Sequence, residues 1–190
     1  MKSKLKYGVG ILDVKGGSKT RSYRVWDCML KRCYSEHDKN HKNSYKDCSV
    51  CKEWLRYSNF EKWYNENYIE GYSLDKDLLF PGNRVYSPQT CCFIPPEINT
   101  RLISHSKRKT EQPIGVTVDK KQGGYQVIVK QHGKSKRIGN KYSDIISAVN
   151  AYCLFKKEYI KEIAEKYYKN GKIEKNIYDA LLNYDFHFIF

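Results

Sequence analysis

Carboxylates, thiols and ammonium groups are the side chains that could do chemistry in this chain, and each type is clustered. Asp75-Lys76-Asp77 sets two carboxylates around an amine. Carboxylate oxygens at Asp75 and Asp77 suit Mg²⁺ or a similar divalent cation, which takes one or two such ligands and keeps several waters. Cys28-x4-Cys33 and Cys48-x2-Cys51 could supply four thiolates to a tetrahedral zinc ion, the second pair having the tight spacing such sites use. On a helix, however, Cys28 and Cys33 stand about 140° apart at 3.6 residues per turn. Buried free thiols are therefore the plainer reading of the cysteines. Cys91 and Cys92 would point to opposite faces of a strand and cannot serve one site.

The largest cluster is the cationic one. The formal charge is +14, and lysine and arginine in excess release condensed counterions when they meet a phosphate backbone. The excess is segmented. Residues 1–60 carry 14 basic and 6 acidic groups, a net of +8; residues 61–100 carry 3 and 6, a net of −3; residues 101–140 carry 10 and 2, a net of +8; residues 141–190 carry 8 and 7, a net of +1. A lysine-rich composition throughout would raise the charge but would not leave an acidic island between two basic zones. A polyanion, double-stranded DNA first of all, is the expected partner.

Positioning these groups requires a core, and 40% hydrophobic with 14% aromatic residues supplies one. No stretch approaches the eighteen or more apolar residues of a membrane span, and no apolar leader follows Met1, so a cytoplasmic protein with no membrane partner is expected. Trp26, Met29, Leu30 and Cys33 recur at helical spacing after the Gly16-Gly17-Ser18 loop. A second helix is expected over Ser58–Glu66 with Ser58 as its N-cap. Tyr72–Leu79 alternates as a strand would, Pro81-Gly82-Asn83 turns the chain, Cys91–Ile94 is a short apolar strand, and Pro95-Pro96 opens a helix. Ile103–Gln112 is polar and basic, which suits a linker.

Beyond it, Gly115–Asp119, Tyr125–Lys130 and Ser135–Ile138 read as a three-stranded antiparallel meander broken at Gly123-Gly124 and His132-Gly133. Alternation places Val116, Val118, Val127 and Val129 inside, and Thr117, Asp119, Gln126, Ile128 and Lys130 outside. Ser143 is the expected N-cap of a long helix whose apolar face includes Ile146, Val149 and Cys153 with Ala148, Tyr152 and Phe155; Asn170-Gly171 should end it. Ile173, Ile177, Ala180, Leu181 and Tyr184 continue at helical spacing, and Phe186–Phe190 is an apolar tail suited to packing on its own domain or on a second copy.

Two stretches resemble known families. Trp26, Met29-Leu30, Val50-Cys51-Lys-Glu-Trp54, Leu74-Asp-Lys-Asp77, Gly82-Asn83, Tyr86-Ser-Pro88 and Ile98-Asn99 make residues 23–103 similar to phage-encoded HNH-type homing-endonuclease relatives. Gly115-Val116, Tyr125, Gly139 and Ala148-x-x-Ala151-Tyr152 make residues 113–160 similar to the plant ethylene-response-factor type of DNA-binding domain that such nucleases often carry C-terminally. The first resemblance implies a general base, a divalent cation and an asparagine that fixes the loop between two strands. Asn83 matches the loop asparagine and Asn99 the helix position, but Lys76 stands where the catalytic histidine would. None of His37, His41, His105, His132 or His187 falls in the motif. Asp75-Lys76-Asp77 is then a metal site with Lys76 as an unusual base, a scaffold that has lost its chemistry and kept DNA contacts, or a solvated strand edge.

The second resemblance implies a sheet laid in the major groove. Thr117, Gln126 and Lys130, with Lys120, Lys121, Lys134, Lys136 and Arg137, are the expected DNA-binding residues. The family's arginine- and tryptophan-rich reading face is replaced here by Thr117, Asp119 and Ile128, so its target sequence does not carry over.

The expected fold is thus α+β: a degenerate ββα core with N-terminal helices over residues 1–103, a basic linker over 104–112, a three-stranded antiparallel sheet packed on a long helix over 113–170, and a C-terminal helix and tail over 171–190. DNA binding is the expected function, with metal-dependent endonuclease activity open. The alternative is a phage protein that binds and inhibits a host protein through the acidic island or the tail. A homodimer through the tail is also open.

Overall fold

The computed structural model describes residues 5–35, 45, 47–102, 115–121 and 123–185. The elements run α1 (Arg21–Tyr34), β1 (Ser49–Val50), α2 (Tyr57–Asn67), β2 (Ser73–Asp75), β3 (Val85–Tyr86), β4 (Cys92–Ile94), α3 (Pro96–Leu102), β5 (Val116–Val118), β6 (Tyr125–Gln131), β7 (Lys134–Tyr142), α4 (Ile145–Lys169) and α5 (Lys175–Leu182). The class is α+β, and no helix among the described residues is long and apolar enough to cross a membrane. The expected linker at 104–112, His37, His41, His105, His187 and the tail Phe186–Phe190 lie outside the described residues.

The chain divides into two compact units, residues 1–95 and 96–190. The sequence pattern sets the boundary at 103, so α3 changes sides. It does so because its side chains find partners on α4: Tyr167 donates a hydrogen bond to the Glu97 carboxylate at 3.1 Å, and the Arg101 guanidinium lies over the Tyr159 ring at 5.2 Å.

The first unit is held by aromatic rings. Trp26, Trp54, Tyr57 and Phe60 are fully buried, joined by Met29, Leu30, Tyr64 and Phe93. The Trp26 indole N–H, which burial would otherwise orphan, donates to the Trp54 carbonyl at 2.6 Å. Helix α1 begins at Thr20, whose hydroxyl accepts the Tyr23 N–H, and buries the stripe the sequence marks. Helix α2 starts at Tyr57, and Ser58 is not its cap. Asp13, 45 positions away, reaches across to accept the Ser58 N–H at 2.9 Å and the Ser58 hydroxyl at 2.7 Å. A carboxylate supplied from a remote loop thus does the work of a local cap. Strands β1 and β3 pair in parallel, β2 and β4 antiparallel with Leu74 opposite Phe93.

In the second unit β5, β6 and β7 form an antiparallel sheet in that order, and α4 packs on it. Val116, Val127 and Val129 meet Ala148, Val149 and Tyr152 in a dry cluster. Burying each valine stabilises by about 1.5 kcal/mol or more. Asp144 caps α4, accepting the Ser147 N–H at 2.8 Å, one residue beyond the expected Ser143. At the other end Asn170 and Gly171 stop the helix: the Gly171 N–H bonds to Tyr168 and the Lys172 N–H to Tyr167, with Gly171 at φ +63°, the paired 5→2 and 6→1 bonds of a Schellman motif.

Two burial expectations need correction. Val118 is 42% exposed because it lies at the strand end beside the Asp119–Gly124 turn, and Ile146 is 63% exposed because it sits in the first turn of α4, off the stripe that meets the sheet.

Replacing Asp13 with alanine removes the α2 cap and should cost about 1 kcal/mol at neutral pH. Burial raises the Asp13 pKa, but hydrogen bonds from the Ser58 hydroxyl and N–H and from Arg56 outweigh it, so the net shift is below the ordinary 3.8. A folded pKa below the unfolded one gives stability above 3.8 that is lost as pH falls through the lowered value. Denaturant unfolding should therefore show a gap between wild type and Asp13→Ala that is full at pH 7 and closes on acidification; a gap independent of pH would show that the carboxylate is not the cap.

Candidate functional site

The acidic triplet does not continue β2. The strand ends at Asp75, where the side-chain oxygen accepts the N–H groups of Asp77 and Leu78 at 3.1 and 2.8 Å and folds the chain into an Asx turn. Strand alternation fails at Lys76 for that reason. Leu78 is buried, and Lys76, 9% exposed, turns inward. Its ammonium donates to Asp77 Oδ2 at 2.9 Å and to the Asn83 carbonyl at 3.1 Å.

Asn83 ties the loop together from the other side. Its amide N–H₂ donates to the carbonyls of Lys76 at 2.6 Å and Val85 at 2.7 Å, and its Oδ1 accepts the Val85 N–H at 3.2 Å. Lys76 and Asn83 therefore hold each other reciprocally, each side chain bonding the other's backbone carbonyl. The asparagine fixes the loop between β2 and β4.

The donor set does not suit a divalent cation. One Asp75 oxygen is engaged by two backbone N–H groups, and burial followed by the neighbouring Asp77 raises its pKa above the ordinary carboxylate value against the lowering by those bonds and Lys76. Asp77 is already paired with an ammonium. A divalent ion placed between the two carboxylates would have to displace Lys76 or bear its repulsion. The lysine that stands in place of the expected histidine is thus itself the cation of this loop. Asn99 lies on α3, which belongs to the second unit, while Asp75, Lys76, Asp77 and Asn83 belong to the first.

For the four cysteines expected as a zinc set, no group of three or more His, Cys, Asp or Glu side chains that could hold a metal ion is found among the described residues. Cys28 is exposed on α1 while Cys48 is buried. Burial, then the neighbouring Cys48, pushes the Cys33 thiol up to about 12. The Cys91 thiol is likewise pushed up to about 12, first by burial. These thiols are held protonated as small apolar groups.

The second candidate surface is the face of the sheet turned away from α4. Cross-strand partners share a face. Thr117 pairs with Gln126, Ile128 with Arg137 and Lys130 with Ser135, whereas Val127 pairs with Ile138, Val129 with Lys136 and Gln131 with Lys134. Gln126, Ile128 and Lys130 thus form a row along the central strand, with Thr117 on one side and Arg137 and Ser135 on the other. Lys134 and Lys136, expected among the DNA-binding residues, share the face of Val127 and Val129 that meets α4. The two-residue period of the strand decides this, and a sequence read without its hairpin register cannot. Lys120 and Lys121 are exposed in the β5–β6 turn. Asp119 is oriented locally, accepting the Lys121 N–H at 3.0 Å and the Gln126 amide N–H at 2.6 Å. The sequence pattern alone does not pair Asp119 with Gln126; their seven-residue separation across a tight turn is the signal that could have found it.

Asn83→Ala and Asn83→Asp both remove the donated hydrogen bonds and should each destabilise the first unit by about 2 kcal/mol, at about 1 kcal/mol per bond. Thermal unfolding followed by tryptophan fluorescence, with Trp26, Trp54 and Trp63 all in or against this core, reads the loss. Wild-type stability in Asn83→Asp would show that the donated bonds do not hold the loop.

Compared with known proteins, the chain matches no family model, no curated protein and no solved structure.

Proposed function

We propose that this chain is a DNA-binding protein of phage or mobile-element type, in which the three-stranded sheet meets double-stranded DNA and the nuclease-like loop of the first unit is a scaffold without hydrolytic chemistry. The observation that supports the binding surface best is the outer sheet face itself. An open row of Gln126, Ile128 and Lys130 is flanked by Thr117 and Arg137, Lys120 and Lys121 stand at its rim, and its acid, Asp119, is held by Gln126. A sheet face bordered by cations suits a polyanion, and strands are among the elements that read DNA grooves.

Loss of hydrolysis follows from Lys76. A base for water activation needs a free lone pair near neutral pH, whereas this ammonium donates to Asp77 and to the Asn83 carbonyl. The carboxylates that would hold a metal are engaged by that ammonium and by backbone N–H groups.

Supercoiled plasmid incubated with the full chain over a Mg²⁺ and Mn²⁺ series should be retarded on a gel and remain intact. Nicked or linear product that vanishes with chelator and with Asn83→Ala would overturn the scaffold reading. In a salt titration of duplex binding, the Lys130→Ala/Arg137→Ala double variant should flatten the slope of log K against log salt by about 2, at about 0.9 for each phosphate that a side chain neutralises. An unchanged slope would remove both residues from the interface.

A further inference from the structure

Given that reading, we infer that the outer sheet face reads base edges as well as gripping phosphates, and that its target is an A·T-bearing core in which Gln126 reads adenine and Ile128 a thymine methyl two base steps away. The inference rests on the DNA-facing role of this sheet and adds a specificity to it.

The amide of Gln126 is oriented by its neighbour. A carboxylate only accepts hydrogen bonds, so Asp119 Oδ2 at 2.6 Å must face the nitrogen of the amide and not its oxygen. Asp119 cannot slip away easily, because its other oxygen holds the Lys121 N–H at 3.0 Å. What remains of Gln126 is one acceptor and one N–H, which lie side by side when Asp119 takes the hydrogen on the far side from the amide oxygen. Adenine presents the complement in the major groove, N7 to accept and N6 to donate, and the glutamine amide pairs with both. Without Asp119 the amide could flip and the reading would blur.

Ile128 is the next outward residue on the same strand, and it is 44% exposed in the middle of an otherwise polar face. Across from it, just before β5, is Gly115, whose carbonyl accepts the Ile128 N–H at 2.9 Å and which brings no side chain of its own. The neighbour of Ile128 on β7 is Arg137, a guanidinium suited to guanine O6 and N7 or to a phosphate. A branched apolar side chain exposed there has one apolar feature to meet in the major groove, the C5 methyl of thymine. Spacing agrees: outward residues two apart on a strand are separated by about 6.7 Å, and two nucleotides along a DNA strand by about 6.8 Å.

The test uses the full chain and duplexes recovered by it from a randomised pool, followed by anisotropy titrations on one recovered duplex made with altered bases. Replacing thymine by uracil removes only the methyl and should weaken wild type about fourfold at one position, the worth of one buried methyl; Ile128→Ala should be insensitive to that change. Replacing adenine by 7-deazaadenine removes only N7 and should weaken wild type about fivefold or more at one position, with Gln126→Ala insensitive. Asp119→Asn, able to present either a donor or an acceptor to the amide, should keep affinity for non-cognate duplex and lose the adenine discrimination. Binding without A·T enrichment, or with wild type indifferent to both base changes, overturns base readout and leaves DNA binding standing. Absence of salt-sensitive binding to any duplex overturns both.

Discussion

Packing of the three-stranded sheet on α4 is the constraint from which the make-up of its outer face follows. Val116, Val127 and Val129 are dry only in one register against Ala148, Val149 and Tyr152. Because strand side chains alternate with a period of two, committing those three valines to the helix commits Thr117, Gln126, Ile128 and Lys130 to the opposite face. The fit is close at Gly115. It holds φ +83°, and a Cβ there would come within 2.2 Å of the Tyr152 ring, so the start of β5 can approach α4 only as glycine. Each buried valine stabilises by about 1.5 kcal/mol or more, and a one-residue slip would forfeit that burial while turning the polar row inward. The outer face is thus specified by the inner one.

In the first unit the organising element is the reciprocal link between Lys76 and Asn83. Each side chain satisfies the other's backbone carbonyl, and Asn83 also brackets Val85. A lysine ammonium supplies positive charge beside Asp77. In this loop one carboxylate is paired with the ammonium and the other accepts two backbone N–H groups.

Much of this is legible in the sequence, and what is not has physical causes. The helical stripe Trp26, Met29 and Leu30, the three strands with their turns, and the Asn170-Gly171 stop are local patterns, and local patterns can be read from one chain. The cap of α2 comes from Asp13 and so carries no signal near Ser58. The end of β2 at Asp75 depends on a side chain competing for backbone N–H groups, which alternation ignores. The faces of Lys134 and Lys136 depend on hairpin register, and the shift in the β6–β7 pairing between Tyr125 and Val127 puts irregularity into β7 that composition does not announce. The side that α3 takes is hidden because the partners of Glu97 and Arg101 lie far along the chain, at Tyr167 and Tyr159. Of the candidate site, residue types are legible and their pairings are not: Asp75, Lys76, Asp77 and Asn83 stand out in the sequence, but that lysine and asparagine hold each other emerges only in three dimensions.

The outer sheet face is the centre of the account, and backbone amide chemical shifts of the ¹⁵N-labelled full chain during titration with a duplex report on it most directly. Perturbations concentrated at Thr117, Gln126, Ile128, Lys130, Ser135 and Arg137, with the amides of Val149–Ile163 on α4 left in place, are expected. Perturbations that map to α4 or to the Asp75–Asn83 loop while the sheet stays silent would contradict it.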